Sequence, residues 1–172
     1  YLFPDKILSE KYKKIIDKFK GKYKFGISWK SFKNRYSFDK SLSLENLKHI
    51  FDFEDCSFFN LQYGDIGNEI VDFESKYVRK INTIKELDIY NDFDSLAAFL
   101  KNLDMFITVS NSTAHLAGSL GVKTLLIKPK NHALFHYWNQ YNENTPWYNS
   151  VTLISREDIM NENNLINKNL FQ

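Results

Sequence analysis

Six consecutive residues, Ser110, Asn111, Ser112, Thr113, Ala114 and His115, bring hydroxyls, an amide, an imidazole and closely spaced backbone N–H groups together. They stand between an uninterrupted apolar run and a stretch of helical character. A turn of this kind suits an anion, because the first N–H groups of a helix have no acceptor within it and the helix dipole leaves partial positive charge there. His115 falls in the first helical turn, where an imidazole either donates to an anionic oxygen or packs. Ser112 and Thr113 are also ordinary capping residues. Positive charge is available from a second place, the polar loop with Lys30, Lys33, Arg35 and Lys40 after the first apolar run. One or two of these cations aimed at the same edge would neutralise a diphosphate, and otherwise they form a solvated loop. A third polar turn, Gln62, Tyr63, Gly64 and Asp65, follows another apolar run.

Other chemistries find no support. The chain has no GxGxxG, no Walker A sequence and no GxSxG elbow. His132 and His136 are four apart but have no third ligand in a recognisable spacing, so no metal site is expected. The one cysteine, Cys56, has no partner for an internal disulfide and sits in an apolar run, as a small core residue would. That usage fits a reducing compartment, and a cytoplasmic location is expected.

The elements that position these residues follow from periodicity. Residues 94–103 carry apolar side chains at helical spacing, with Asp94 placed to cap them. Residues 105–109 and 124–127 are continuous apolar, β-branched runs, as expected of strands covered on both faces. Between them the small residues Ala114, Ala117, Gly118 and Ser119 suit a short, closely packed helix ending at Gly121. Upstream, residues 9–19 form an amphipathic helix pattern, 23–29 a strand with Gly26 marking a close approach, and 44–51 a helix capped by Ser43. Residues 58–61 and 77–81 suit strands, 66–74 a weak helix, 82–93 a loop, and 151–154 a last short strand. Strands alternating with helices, joined by connections long enough for parallel crossovers, define an α/β, Rossmann-like, doubly wound and mainly parallel sheet. Its polar turns then gather along one edge, where ligands of such sheets bind.

With 172 residues, 43% of them hydrophobic and 16% aromatic, the chain can bury a substantial core. The net charge of +2 is unevenly spread: residues 1–24 hold eight lysines against three acids, whereas the remainder has 15 basic and 18 acidic residues. A slightly acidic body argues against a nucleic-acid partner, and the lysines read as a solvated helix face. No apolar run reaches the ~18–20 residues of a membrane span. Because it begins with Tyr1, the chain is expected to be a piece of a longer protein. Its expected organisation is an N-terminal amphipathic helix and linker over 1–21, one Rossmann-like domain over 22–155, and a polar tail over 156–172 with at most one or two helical turns.

The run from Asp94 through Leu96, Ala97, Asp104 and Ile107 to residues 110–115 and Gly118, Gly121 and Val122 resembles the donor-binding half of GT-B glycosyltransferases. It is most similar to the heptosyltransferase-like domain at the end of many bacterial tetratricopeptide-repeat proteins. Residues 26–31, 61–65, 91–94 and 146–148 fit in the same order, so the resemblance covers roughly residues 22–155. It implies a domain holding a nucleotide-sugar donor, without a metal or other cofactor, and sugar transfer to an acceptor held elsewhere. The donor site it implies comprises Ser28, Trp29, Lys30, Ser31, Gln62, Tyr63, Asp65, Ser110, Asn111, Ser112, Thr113, Ala114 and His115. Stabilisation of the departing diphosphate falls to His115 with Arg35 or Lys40, an electrostatic role that preorganised donors and a cation can fill. The implied partner in the parent chain is an N-terminal acceptor domain or a tetratricopeptide-repeat domain. Heptosyltransferases usually place an acidic residue and Ser/Thr-Gly before the histidine. Here Ser110, Asn111, Ser112 and Thr113 stand instead, closer to the repeat-associated relatives, which also allow a non-catalytic binding domain.

Overall fold

The computed structural model describes residues 2–32, 37–129, 138 and 144–161. Its centre is a seven-stranded sheet in the order β3-β2-β1-β4-β5-β7-β6. The strands are β1 (Tyr23–Ile27), β2 (Cys56–Asn60), β3 (Ile81–Asn82), β4 (Met105–Val109), β5 (Thr124–Ile127), β6 (Asn144–Thr145) and β7 (Tyr148–Ile154). All pairings are parallel except that of the two-residue β6, which lies antiparallel on β7 at the edge. This is the expected α/β doubly wound sheet, and its direction of growth reverses between β1 and β4. Crossovers leaving in opposite directions open a crevice there, at the carboxyl ends of the strands.

Two helical layers cover the sheet. On one face α1 (Lys6–Ile16), α4 (Phe93–Leu100) and α5 (Ser112–Ser119) enclose Phe59, Phe106, Leu61 and Leu103. On the other, the 3-10 helix Leu44–Asp52, α3 (Gly67–Tyr77) and α6 (Arg156–Asn161) cover Phe25, Ile27, Phe58, Met105 and Ile107. A four-residue helical turn, α2 (Ser37–Lys40), follows β1. Because successive side chains of a strand point to opposite faces, double coverage requires both sets to be apolar. β4 and β5 are buried at every position and apolar at all but Thr108 and Thr124, which is why their expected and observed limits coincide.

Helix limits are set by local capping. α1 begins at Lys6, three residues earlier than its apolar spacing suggests, because the Asp5 carboxylate accepts the Leu8 N–H at 2.8 Å. Tyr12 and Ile16 bury its inner face, with Tyr12 edge-on to Phe99 at 5.7 Å. Lys11, Lys13 and Lys14 are exposed as expected of a solvated face. Lys24 instead donates to the carbonyls of Phe19 and Gly21 at 2.6 and 2.5 Å, fixing the chain where it enters the sheet. α4 is capped by Asp92, which accepts from Ser95 N–H at 2.9 Å, and not by Asp94, which lies inside its first turn.

One expectation along the chain needs correction. Residues 77–81 are not a strand: α3 runs through Tyr77, Val78 closes it in the left-handed conformation with φ +53°, and β3 is only Ile81–Asn82. The residues from Arg156 begin with the short helix α6, which packs on the 3-10 helix.

Gly26 does mark a close approach. A Cβ there would lie 2.7 Å from Leu103 Cδ1, 2.8 Å from Leu61 Cδ1 and 3.1 Å from Phe106 Cδ2. Gly26→Ala should lower stability by about 1–3 kcal/mol, as overpacking of a filled core does, measured by urea denaturation. An unchanged midpoint would show that the leucines yield without cost.

Candidate functional site

The crevice between β1 and β4 is closed at its base by three neutral polar side chains. Ser28, the first residue beyond β1, has its hydroxyl 2.6 Å from that of Thr108 in β4. The Asn111 amide donates to both hydroxyls, at 3.0 Å to Ser28 and 3.2 Å to Thr108. Ser28 and Thr108 are fully buried and Asn111 is nearly so. Buried polar groups persist only when their hydrogen bonds are made, so this cluster fixes how the two strand ends face each other. The same Asn111 caps α5, its Oδ1 accepting from Ala114 N–H at 2.9 Å. The cap is therefore Asn111, not Ser112 or Thr113. The N–H groups of Ser112 and Thr113 lie in the first turn, where the helix itself supplies no acceptor.

Over the start of α5 lies a hollow of about 470 Å³ lined by Phe32, Tyr63, Ile89, Tyr90, Phe93, Ser112 and Thr113. Tyr63 lies between Phe32 and Tyr90, with ring centroids at 5.4 and 6.0 Å. Aromatic walls thus run from the loops after β1, β2 and β3 to the helix start. A larger hollow, about 690 Å³, sits around Cys56 where β2 begins, at the opposite edge of the sheet, with lysines and acids intermixed. It is remote from the residues singled out by sequence, and burial pushes its thiol strongly up, so Cys56 is a structural residue.

His115 is held on two sides. Its ring stacks on Trp138 at 4.6 Å between centroids, and Nδ1 lies 3.1 Å from the Tyr148 hydroxyl. Tyr148 in turn packs on Gly118, where a Cβ would come within 2.6 Å of the ring. The indole N–H of Trp138 donates to Ser110 Oγ at 2.9 Å. Burial first, and then the positive charge of Lys40, hold His115 below the usual histidine pKa. Lys40 is only 5% exposed and is therefore buried in the fold rather than part of a solvated loop.

The remaining expected residues divide by role. Gln62 accepts at Oε1 from the N–H groups of Trp29 and Lys30 at 2.8 and 2.6 Å, and its amide donates to Tyr63 O at 2.8 Å. It shapes the loop after β1. Trp29 is fully buried with its indole N–H on Glu69 at 3.1 Å. The Lys30 ammonium pairs with the same Glu69 carboxylate at 2.5 Å, so its charge is spent within the fold. Burial raises the Glu69 pKa, but the bonds from Lys30, Leu44 N–H and Trp29 outweigh it and keep the carboxyl below its usual range. Ser31 N–H donates to Ser41 Oγ at 3.0 Å, which ties α2 back to β1. Asp65 is exposed. Lys33, Arg35, His132 and His136 lie outside the described residues.

The structure therefore brings Ser28, Ser110, Asn111, Thr113, His115 and Lys40 toward one crevice and turns Trp29, Lys30 and Gln62 to architecture. Sequence reasoning missed Thr108, Glu69, Phe32, Tyr90 and Trp138 as contributors. The one available hint was Thr108, a hydroxyl inside an otherwise apolar buried strand. Among the described residues no group of three or more His, Cys, Asp or Glu side chains could hold a metal ion. None of the described helices is long and apolar enough to cross a membrane.

Comparison with known proteins places this arrangement. No family model matches the chain. It is 29% identical over 153 residues to Protein FlbA of Caulobacter vibrioides, which covers 88% of this chain and 25% of that protein. In fold it matches the glycosyl transferase family 9 structure from Veillonella parvula, with TM-score 0.65, 12% identity, 90% of this chain and 42% of that one. It also matches E. coli ADP-heptose lps heptosyltransferase II, with TM-score 0.63, 9% identity, 99% of this chain and 53% of that one. A third match is the C-terminal domain of a glycosyl transferase group 1 family protein (LpcC) from Francisella tularensis, at TM-score 0.56, 14% identity, 96% of this chain and 85% of that one. The chain thus has the Rossmann-like fold that makes up one half of these glycosyltransferases. It spans about a quarter of FlbA and about half of the first two solved chains.

Two outcomes follow from the geometry. Asn111→Ala removes the α5 cap, about 1–2 kcal/mol by itself, and leaves the buried hydroxyls short of a donor; urea denaturation should show at least the cap loss. His115 titrates below its unfolded value of about 6.5, so around pH 6 the unfolded chain binds more protons than the folded one. Its contribution to stability is therefore complete above that value and is lost as pH falls through the folded pKa. Stability measured at pH 7.5 and pH 5 should drop more in the wild type than in His115→Asn, the window opening below about 6.5; equal drops would show an unperturbed histidine.

Proposed function

We propose that the chain is the nucleotide-sugar donor-binding domain of a glycosyltransferase, which transfers sugar from a nucleoside-diphosphate sugar to an acceptor. The observation that carries this reading is the aromatic hollow ending at Ser112 and Thr113 on the start of α5. A nucleobase has π-faces that stack on Tyr63, Phe32 or Tyr90, and a diphosphate is the anionic group that the first turn of a helix holds. The two parts of the ligand match the two parts of the hollow in order. His115 stands in the first turn of that helix and feels the charge of buried Lys40, and the pair suits a place where negative charge grows as the sugar–phosphate bond breaks. If Nδ1 accepts from Tyr148, a neutral His115 carries its proton on Nε2 and donates from there. Positive charge thus comes from the helix dipole and Lys40, the neutral imidazole adds a hydrogen-bond donor, and we propose that donor binding needs no metal.

The base that activates the acceptor belongs, in this reading, to a partner domain of the parent chain, either an acceptor domain or a tetratricopeptide-repeat array. Glu69 is engaged by Lys30, Trp29 and Leu44, which favours donor binding over complete catalysis by this domain alone. The second reading, a scaffold domain that keeps the fold and the ligand site without transfer, rests on the same engagement.

Thermal melting with ADP-, GDP- and UDP-sugars tests the proposal. A ligand at a hundred times its Kd should add about 2.7 kcal/mol of stability, unchanged by EDTA. Lys40→Met and His115→Ala should each weaken binding by about tenfold or more, the scale of a lost charge-assisted hydrogen bond. Absence of any shift with all three sugars would remove the donor-site reading.

A further inference from the structure

We infer that Arg156 is a positioning residue for the donor site, holding the turn that carries Lys40; this rests on the role of Lys40 proposed above. Arg156 opens α6, immediately beyond the last strand, and is 8% exposed. Its guanidinium donates to backbone carbonyls only in the described contacts: Nη1 to Ser41 O at 3.0 Å, Nη2 to Asp39 O, and Nε to Lys128 O at 3.4 Å. Asp39 and Ser41 flank Lys40 in the chain. The two arms of one planar fork therefore hold the peptide groups on either side of the cation, while Nε reaches the end of β5.

Burying a guanidinium is unfavourable, and here it pulls the Arg156 pKa down, offset by the negative charges of Asp39 and Glu157. An apolar contact between α6 and α2 would join them without that cost, yet the apolar side chain of α2, Phe38, is 91% exposed. What a rigid five-donor fork adds over an apolar contact is direction. The turn has its other anchors on β1: Leu42 N–H donates to Trp29 O at 2.8 Å, and Ser31 N–H to Ser41 Oγ. Trp29 and Arg156 thus grip it from opposite sides. Lys40 is left close enough to depress the His115 pKa. Among the described residues, Tyr148 and Trp138 lie against the His115 ring and the charge of Lys40 reaches it.

The test combines His115 titration by NMR with calorimetric affinity for ADP, GDP and UDP, in wild type, Arg156→Met, Arg156→Lys, Lys40→Met and the double variant Arg156→Met/Lys40→Met. Losing the grip should move the His115 pKa upward, in the same direction as losing Lys40 itself, and weaken the bound nucleotide by about tenfold. In the Lys40→Met background, Arg156→Met should change neither quantity further, since it acts through Lys40. Arg156→Lys keeps the charge but cannot span both carbonyls, and should show the same direction with smaller size even if Arg156→Met does not fold. An unmoved His115 titration in a folded Arg156 variant, or effects that add in the double variant, would overturn the inference. If no nucleotide binds the wild type, the donor reading fails, and the His115 titration alone still decides whether Arg156 places Lys40.

Discussion

The hydrogen-bonded cluster of Ser28, Thr108 and Asn111 is the constraint on which the site depends. It joins residues 80 apart in sequence at the point where the sheet changes direction, and one of its members also starts α5. Each group in it has a partner, so moving β1 against β4 would orphan buried hydroxyls and uncap the helix in one step. At the switch point the crossovers leave in opposite directions, and beyond the ladder of β1 and β4 this cluster ties the two strand ends together. All three members are uncharged. The frame of the site is therefore neutral, and its electrostatic character comes from groups hung upon it: the start of α5, His115 and Lys40.

The cations after β1 show how tertiary structure sorts residues that look alike. Lys30 and Lys40 are equally plausible in sequence, yet Lys30 is drawn to Glu69 and stabilises the loop, while Lys40 is buried and its charge is felt by His115. The partner of Lys30 lies 39 positions away on α3, and the histidine that feels Lys40 lies on α5. Neither pairing leaves a trace in local spacing. The same holds for Gln62, which has the chemistry of a ligand contact but spends both ends of its amide on backbone.

How far the sequence was legible follows the range of the interactions involved. β4 and β5 were readable to the residue because burial on both faces demands unbroken apolar runs. The polar turn at the start of α5 was readable because strand, small polar residues and helix are contiguous. Capping was half-legible: several Asx and hydroxyl residues stand side by side, and only backbone geometry selects Asn111 and Asp92. β3 was misplaced because Tyr77 and Val78 have strand propensity while the helix they end is fixed by packing of Phe73. The aromatic hollow was not legible, since Phe32, Tyr63 and Tyr90 come from three separate loops. Arg156 was hidden for the same reason, its acceptors being carbonyls 115 and 117 positions back.

The packing of Tyr148 on Gly118 and His115 has a consequence for how the molecule comes into being. The chain is made from its N-terminus, and by the time β5 is complete five strands and the switch-point cluster are available. The ring that seats His115 and the guanidinium that grips α2 arrive only with β7 and α6. Long-range closures of this kind are slow and come late, because their loop entropy must be met before they return any contact energy. A nascent chain stopped after Lys128 would own a sheet and a capped helix, but its imidazole and its lysine would have no fixed relation. A fixed relation between His115 and Lys40 is thus acquired with β7 and α6, and not with the strands that define the fold.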